Sequence, residues 1–163
     1  MSNRSQIAHD MHALKLRVPP PLVAFVMAGV MWLVARAAPT AGFVMPARRV
    51  LAACAALAGV SIAIAGVAAF RRVGTTVNPL HPEKASRLVV SGIYKITRNP
   101  MYLGLLLVLI AWALILSNAL AIIILPAFIL YMNRFQIEPE EVALTSAFGE
   151  EFTQYKSRVR RWL

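Results

Sequence analysis

The chain has 163 residues, of which 59% are hydrophobic, and its formal net charge is +10 at pH 7. Soluble domains are about 45–50% apolar, so this composition excludes an ordinary soluble domain and indicates an integral membrane protein. The only cysteine is Cys54, which excludes an intrachain disulfide and a thiolate metal cluster.

The N-terminal segment is predicted to lie on the membrane surface. Ile7, Met11, Leu14 and Val18 repeat at helical spacing, which is typical of an interfacial amphipathic helix. Polar residues are scattered through the segment and no small-residue cleavage site follows a short apolar core, so we do not expect a removable signal peptide.

Two apolar segments follow, and each is long enough to cross a bilayer. A transmembrane helix needs about 20 apolar residues, and these segments run from about Leu22 to Ala38 and from Val50 to Phe70. In the second segment, Ala55, Gly59 and Ala63 are spaced four residues apart. This spacing predicts a face for close helix contact, and the same face would permit a homo-oligomer.

The third apolar region, from Met101 to Met132, is too long for one crossing. A straight helix of that length would extend about 48 Å, against a hydrocarbon layer of about 30 Å. Ser117 and Asn118 are poor helix-interior residues. We therefore predict a tight hairpin at this point and four spans in total, with a kink at Pro126 in the last span.

The basic residues predict the orientation of these four spans. Lys and Arg accumulate in cytoplasmic loops, and only Arg36, Arg48 and Arg49 fall on the side opposite both termini. The chain is therefore expected in the cell (inner) membrane as a multi-pass protein with both termini cytoplasmic. Basic residues at this surface attract anionic lipid, so the positive charge does not require a nucleic-acid partner.

Chemistry is expected in the polar segments between and after the spans. The spans contain no Asp, Glu, Lys or His, which argues against ion transport and proton relay. His9, His12 and His81 do not have metal-binding spacing, so no metal site is expected. The remaining polar regions are the loop from about Gly74 to Pro100 and the tail from about Arg134 onward, which share one face of the membrane.

The loop ends in RNPMYLG, residues 98–104. Asn99 is a good N-cap and Pro100 suits the first helical position, so the third span should begin here. Arg98 beside a helix N-terminus can hold a carboxylate or phosphate. Tyr102 could supply a stacking surface or a hydroxyl, and Gly104 lets another helix or a flat ligand come close. The alternative is an ordinary helix start with interfacial anchors.

The tail places acids beside an otherwise basic surface. Pro139 suits the first position of a helix, and Glu140 and Glu141 fall in its first turn, where carboxylates interact favourably with the helix dipole. An acidic helix start would be a sufficient account. A cationic or ammonium-bearing ligand would explain why these acids stand at this surface.

The C-terminal residues predict a second interfacial helix. Its basic residues, between Lys156 and Arg161, would face lipid headgroups. The apolar residues repeat at spacings of four and three, at Leu144, Phe148, Phe152, Tyr155, Val159 and Trp162.

Two stretches together, SGIYKITRNPMYLG (91–104) and IEPEEVALTSAFGEEFTQYKSRVRRWL (137–163), resemble the isoprenylcysteine carboxyl methyltransferase family and its bacterial relatives among the phospholipid methyltransferases. The resemblance covers roughly residues 75–163. It implies an all-helical membrane enzyme that binds S-adenosylmethionine in a cytosolic pocket while a lipid-like acceptor enters from the bilayer. A single membrane domain is expected over residues 1–163. Residues 1–72 would form the surface helix and two spans, and residues 73–163 would form the cofactor-binding core.

The resemblance also implies the site residues. Arg98 and Glu141 would be the main functional pair, and Asn99 stands where the family motif commonly has a histidine. The cofactor pocket would be lined by Tyr94, Arg98, Asn99, Pro100, Tyr102 and Gly104 and completed by Glu140 and Glu141.

Charge matching agrees with this assignment. The methionine end of the cofactor is a zwitterion, so its carboxylate suits Arg98 and its ammonium or ribose hydroxyls suit a glutamate. The expected reaction is in-line methyl transfer to an oxygen, nitrogen or sulfur atom. Isoprenylated cysteine, an ethanolamine headgroup and a small thiol all remain possible acceptors. The alternatives are a nicotinamide-dependent membrane reductase and a non-catalytic lipid-binding or interaction protein.

Overall fold

The computed structural model describes residues 18–74 and 87–163, and these form helices with no β-strand among them. The all-helical class is confirmed. The predicted N-terminal surface helix and all three histidines lie outside the described residues, apart from Val18 at the edge. The helices are α1 (Pro20–Ala37), α2 (Arg48–Val73), α3 (Pro100–Leu116), α4 (Ala119–Ile122), α5 (Ile124–Met132) and α6 (Glu138–Arg158).

Three helical stretches of the described residues are long and apolar enough to cross a membrane, namely α1, α2 and the run Ala119–Arg158. α3 is apolar but shorter, with 17 residues. α6, at the end of the run, carries five of the chain's seven acids, so we place α6 outside the hydrocarbon layer. The chain is thus a multi-pass membrane protein, and the count of four spans with a tight hairpin stays a prediction.

The helix break at Ser117 and Asn118 lies where the sequence predicts it. Ser117 adopts a left-handed conformation with φ 46°. The Asn118 Oδ1 accepts hydrogen bonds from the backbone N–H groups of Leu120 and Ala121 and caps α4. Its Nδ2 donates to the carbonyl of Ala38 at 2.8 Å. These bonds fix the break against the connection between α1 and α2.

The interruption that Pro126 predicts lies at Ile123, between α4 and α5. Proline has no N–H, and its ring clashes with the carbonyl four residues earlier. For Pro126 that carbonyl belongs to Ile122, the last residue of α4. The chain therefore interrupts the helix just before the first turn of α5 and accommodates Pro126 inside that turn.

The small-residue face of α2 packs directly on α3. A Cβ atom added at Gly59 would lie 2.7 Å from the Gly104 carbonyl oxygen, and one added at Gly104 would lie 2.8 Å from the Ala63 Cβ. The predicted close contact is therefore made inside the chain, and at these positions the face is covered by α3. The small-residue face of α2 therefore no longer supports the prediction of a homo-oligomer.

α3 is the central helix, with α2 packed on one side and α1 and α5 packed on others. The fully buried side chains of this core include Met31 of α1 together with Phe128 and Met132 of α5. At 1.5 Å per residue, α3 separates its two ends by about 25 Å. Ser117 lies at one end, and Arg98 lies just before the other.

α5 and α6 are joined by one turn of π-helix, Asn133–Ile137. Pro139 follows in the first turn of α6 and, lacking an N–H, cannot bond to the carbonyl of Phe135. The widened turn accommodates this loss and moves the first residues of α6 toward the start of α3. Single turns of π-helix, which we call π-turns, are frequent at functional sites.

The apolar face of α6 packs on protein, which corrects the prediction that it lies on lipid. Phe152, Tyr155 and Val159 are buried in one cluster with Tyr94 and Ala69. Gly149 interrupts α6 with φ 52° and ψ −119°, a backbone conformation essentially reserved for glycine. The bend turns the second half of α6 onto the segment before α3, which removes these side chains from the membrane surface.

Candidate active site

The last residues of the chain bind the segment that leads into α3. We call residues 160–162 the C-terminal clasp. The Arg98 N–H donates to the carbonyl of Arg160 at 3.0 Å. The carbonyl of Arg161 accepts from the Thr97 hydroxyl at 3.1 Å and from the Asn99 side-chain amide at 2.9 Å. The clasp therefore covers the start of α3.

Glu141 lies between two guanidinium groups. Arg161 forms a bidentate pair with it, Nε to Oε1 at 2.9 Å and Nη2 to Oε2 at 2.7 Å. Arg98 places its Nη1 at 3.1 Å from the same Oε1. The hydrogen bonds to Glu141 are the largest cause of the raised pKa of Arg161. Both oxygens of Glu141 are thus occupied by the chain's own cations.

Arg98 keeps hydrogen-bond donors that no described residue satisfies. Its Nε and Nη1 are buried and make no hydrogen bond within residues 18–74 and 87–163. The Nη1 contact with Glu141 is close enough for an ion pair but is misaligned as a hydrogen bond. Burial is the largest influence on the pKa of Arg98 and lowers it, with Glu141 opposing. Unsatisfied buried donors are costly, so an added acceptor here would be stabilised.

Glu140 has a different environment from its neighbour. The Tyr102 hydroxyl donates a hydrogen bond to its Oε1, and no Lys or Arg among the described residues lies within ion-pair distance of it. Burial raises the pKa of Glu140 to about 8, against the lowering effect of the Tyr102 hydrogen bond. Glu140 is therefore a carboxyl group without a cationic partner in the described part of the chain.

Tyr94 lies beside this acid and is 5% exposed. Its ring meets the ring of Phe70 edge-on, with centroids 5.4 Å apart. Its carbonyl accepts a hydrogen bond from the Tyr155 hydroxyl at 2.7 Å. Burial, the Tyr155 phenol and the Glu140 carboxylate raise the pKa of Tyr94. The phenol therefore stays protonated and can act as a donor near Glu140.

Three of the predicted cofactor-binding residues serve the scaffold. α3 begins at Pro100 as predicted, and Pro100 is buried against Gly66 of α2. Gly104 also faces α2, so of its two predicted uses the helix contact is the one observed. Asn99 lies at the N-cap position of α3 as predicted, but its side chain makes no capping hydrogen bond and donates to the clasp instead.

Sequence reasoning missed the clasp. The prediction that Arg161 faces lipid headgroups with its basic neighbours is wrong, because its guanidinium pairs with Glu141. Thr97 is fully buried and gave no signal of its contact with the tail. Trp162 donates to the Asn133 side chain at 3.0 Å, which ties the clasp to the π-turn. The excess of acids at the start of α6 was the one available hint of a basic partner.

A groove of about 480 Å³ lies beside Tyr155. None of the predicted cofactor-binding residues lines it. Its walls are formed by Val90, Lys95, Glu151, Gln154, Tyr155, Arg158 and Val159.

Comparison with known proteins gives one family and several relatives. The model of the family described as phospholipid methyltransferase matches residues 47–151. An uncharacterized protein of Haemophilus influenzae is 56% identical over 63 residues, which are 39% of this chain and 100% of that protein.

Other relatives carry the name of an enzyme. A probable protein-S-isoprenylcysteine O-methyltransferase of Oryza sativa subsp. japonica is 33% identical over 92 residues, 55% of this chain and 47% of that protein. The protein-S-isoprenylcysteine O-methyltransferase of Mus musculus is 35% identical over 72 residues, 44% of this chain and 25% of that protein. The matches thus span about half and a quarter of the lengths of these two relatives. No solved structure matches the chain significantly.

Proposed function

This chain belongs to the phospholipid methyltransferase family, and on that premise we propose that it transfers a methyl group from S-adenosylmethionine to a lipid-like or amphiphilic acceptor. The reaction would take place at the cytoplasmic face of the cell membrane. Its site would be the N-terminal end of α3, near Arg98 and Glu140. Family membership favours this activity over a nicotinamide-dependent reductase and over a non-catalytic lipid-binding protein.

The observation that carries the proposal is a pair of incompletely satisfied polar groups, the guanidinium of Arg98 just before α3 and the carboxyl of Glu140 in the first turn of α6. Arg98 has two buried nitrogens without a hydrogen-bond acceptor among the described residues. Glu140 has a hydrogen bond from Tyr102 and, in the same part of the chain, no cation. The methionine end of the cofactor carries one carboxylate and one ammonium, so the two sets of charges complement each other.

The residues present therefore fit the cofactor, with roles that differ between the two acids. Arg98 would bind the carboxylate of the methionine end. Glu140 would accept hydrogen bonds from the ammonium or the ribose hydroxyls, with Tyr94 and Tyr102 beside it. Glu141 is already paired with two arginines, so we assign it to positioning Arg98 rather than to direct contact.

When bound, the cofactor supplies an electrophilic methyl group on its sulfonium. The chain's own residues would align that group with the acceptor and exclude water, and these contributions do not require a nucleophilic side chain. The clasp and the buried cluster around Phe152 and Tyr155 cover the site from the polar side. An amphiphilic acceptor would enter from the bilayer, and its methylated atom could be oxygen, nitrogen or sulfur.

The test is cofactor binding by the purified protein in detergent, measured by isothermal titration calorimetry. At a pH above 8, where Glu140 is mostly ionised, we expect wild type to bind S-adenosylmethionine, and Arg98→Ala and Glu140→Gln each to weaken binding by about tenfold or more, because each removes a charge-assisted hydrogen bond. Arg36→Gln removes an exposed charge at the C-terminal end of α1 and should bind as wild type does. Absence of binding by wild type would overturn the proposed function.

A further inference from the structure

We propose that Arg161 is a positioning residue that occupies Glu141 and thereby keeps the buried N–H groups of Arg98 available for the carboxylate of the cofactor. This inference rests on the proposed function, and it adds to the site a residue that the RNPMYLG stretch and the acids of α6 do not contain. Three structural steps support it.

The first step is that Arg161 and Arg98 share one carboxylate unequally. Arg161 binds both oxygens of Glu141, at 2.9 and 2.7 Å, in the bidentate geometry that favours arginine–carboxylate pairs. Arg98 reaches only Oε1, at 3.1 Å, without a hydrogen-bonding angle. Glu141 thus neutralises part of the charge of Arg98 and leaves its Nε and Nη1 donors unused by the described residues.

The second step is that the clasp sets the position of the Arg161 side chain in advance. The Arg161 carbonyl accepts hydrogen bonds from Thr97 and Asn99, which directly flank Arg98 in the chain. The neighbouring carbonyl, that of Arg160, accepts from the Arg98 N–H. The backbone that carries one guanidinium is therefore fixed to the backbone that carries the other.

The third step concerns what Glu141 would do without Arg161. A half-buried carboxylate next to a guanidinium with free donors gains energy by forming the bidentate pair itself. Arg98 would then be satisfied by Glu141, and a ligand carboxylate would have to displace that internal partner. Arg161 prevents this competition. Its removal should therefore weaken the recognition of one ligand group, the carboxylate, rather than of the whole cofactor.

The experiment compares two ligands that differ only in that group, S-adenosylmethionine and its decarboxylated form, which keeps the ammonium and the sulfonium. Dissociation constants are measured by calorimetry in detergent for wild type, Arg161→Gln, Arg161→Lys and Arg158→Gln. Arg158→Gln is the matched control, since it removes an exposed positive charge at the C-terminal end of α6, three residues before Arg161.

We expect wild type to prefer the carboxylate-bearing ligand by about tenfold or more. In Arg161→Gln this preference should fall toward one, while the affinity for the decarboxylated ligand stays within about twofold of the wild-type value. Arg161→Lys should keep an intermediate preference, because an ammonium lacks the planar fork of a guanidinium. Arg158→Gln should match wild type.

Several outcomes would overturn the inference. One is an unchanged ligand preference in Arg161→Gln, and another is an equal loss of affinity for both ligands, which indicates a general structural role. The folding of Arg161→Gln is checked by thermal unfolding without ligand. If this variant does not fold, Arg161→Lys is the test, and an unchanged, wild-type ligand preference in Arg161→Lys rejects the proposal. If wild type binds both ligands equally, the inference fails while the proposed function stands. If wild type binds neither, the proposed function itself fails.

Discussion

Tyr102, in the first turn of α3, donates its hydroxyl hydrogen to the carboxylate of Glu140, in the first turn of α6. The next residue, Glu141, pairs with Arg98, which lies just before α3. These contacts join two sequence motifs that are separated by α3, α4 and α5. They also give two adjacent glutamates opposite surroundings, one with two cations and one with a phenol. The pH dependence of ligand binding and of stability follows from that difference.

The first prediction concerns cofactor affinity and pH. The pKa of Glu140 is about 8 because of burial, so its ionised fraction rises as the pH increases through 8. An ionised carboxylate accepts hydrogen bonds from ammonium and hydroxyl groups, and a protonated one does so less well. Calorimetry from pH 6.5 to 9 should therefore show affinity increasing with pH in wild type relative to Glu140→Gln. Comparing the two proteins at each pH controls for the titration of groups that both share, and a ratio independent of pH would contradict the role given to Glu140.

The second prediction concerns stability and pH in the absence of ligand. The folded-state pKa of Glu140 is raised from 4.5 to about 8, so the folded state binds more protons than the unfolded state between these values. The stabilisation is fully present below pH 4.5 and is lost as the pH rises through 8. Thermal unfolding in detergent should show Glu140→Gln close to wild type at pH 5 and more stable by several °C at pH 9. Glutamine keeps an oxygen that can accept from Tyr102, so equal melting temperatures at pH 9 would show that burial of this charge costs little.

The third prediction concerns the contact between α2 and α3. A Cβ atom at Gly104 would lie 2.6 Å from the Gly59 carbonyl and 2.8 Å from the Ala63 Cβ, so Gly104→Ala must separate the helices. Overpacking of this kind costs about 1–3 kcal/mol. Gly29→Ala is the control, because its Cβ would meet nothing within 4 Å and alanine favours helix. Denaturant unfolding in detergent should show a loss only for Gly104→Ala, and equal stability of both variants would contradict the observed packing.

The fourth prediction concerns the bend in α6. Gly149 has φ 52° and ψ −119°, and a Cβ there would meet no atom within 4 Å, so the effect of Gly149→Ala is backbone strain of about 1–3 kcal/mol. Gly74→Ala provides the comparison, since its φ of 70° and ψ of 29° fall in the left-handed region that other residues adopt at lower cost. Hydrogen exchange should show loss of protection around Phe152 and Tyr155 in Gly149→Ala. A larger loss of protection in Gly74→Ala than in Gly149→Ala would contradict the assignment of backbone strain to the bend.

The membrane-protein class, the first two apolar helices and the break at Ser117 and Asn118 could be predicted from the sequence. Each depends on a local property, either the hydrophobicity of about 20 consecutive residues or the poor helix preference of one or two. The contact face of α2 was also predictable, because residues four apart share one side of a helix whatever packs against it. Close packing on that face needs small residues, and the sequence shows them directly.

Only the tertiary structure determined which side chains pair with each other at the site. Sequence could place Arg98 at the start of one helix and Glu140 and Glu141 at the start of another. It could not tell that Glu141 is occupied by Arg161 while Glu140 faces Tyr102, because adjacent helical residues point about 100° apart. That orientation is fixed by the π-turn before α6, by the bend at Gly149 and by the clasp. The same long-range contacts turned the apolar side of α6 from lipid to protein, since packing between distant segments, and not composition, determines what an amphipathic face covers.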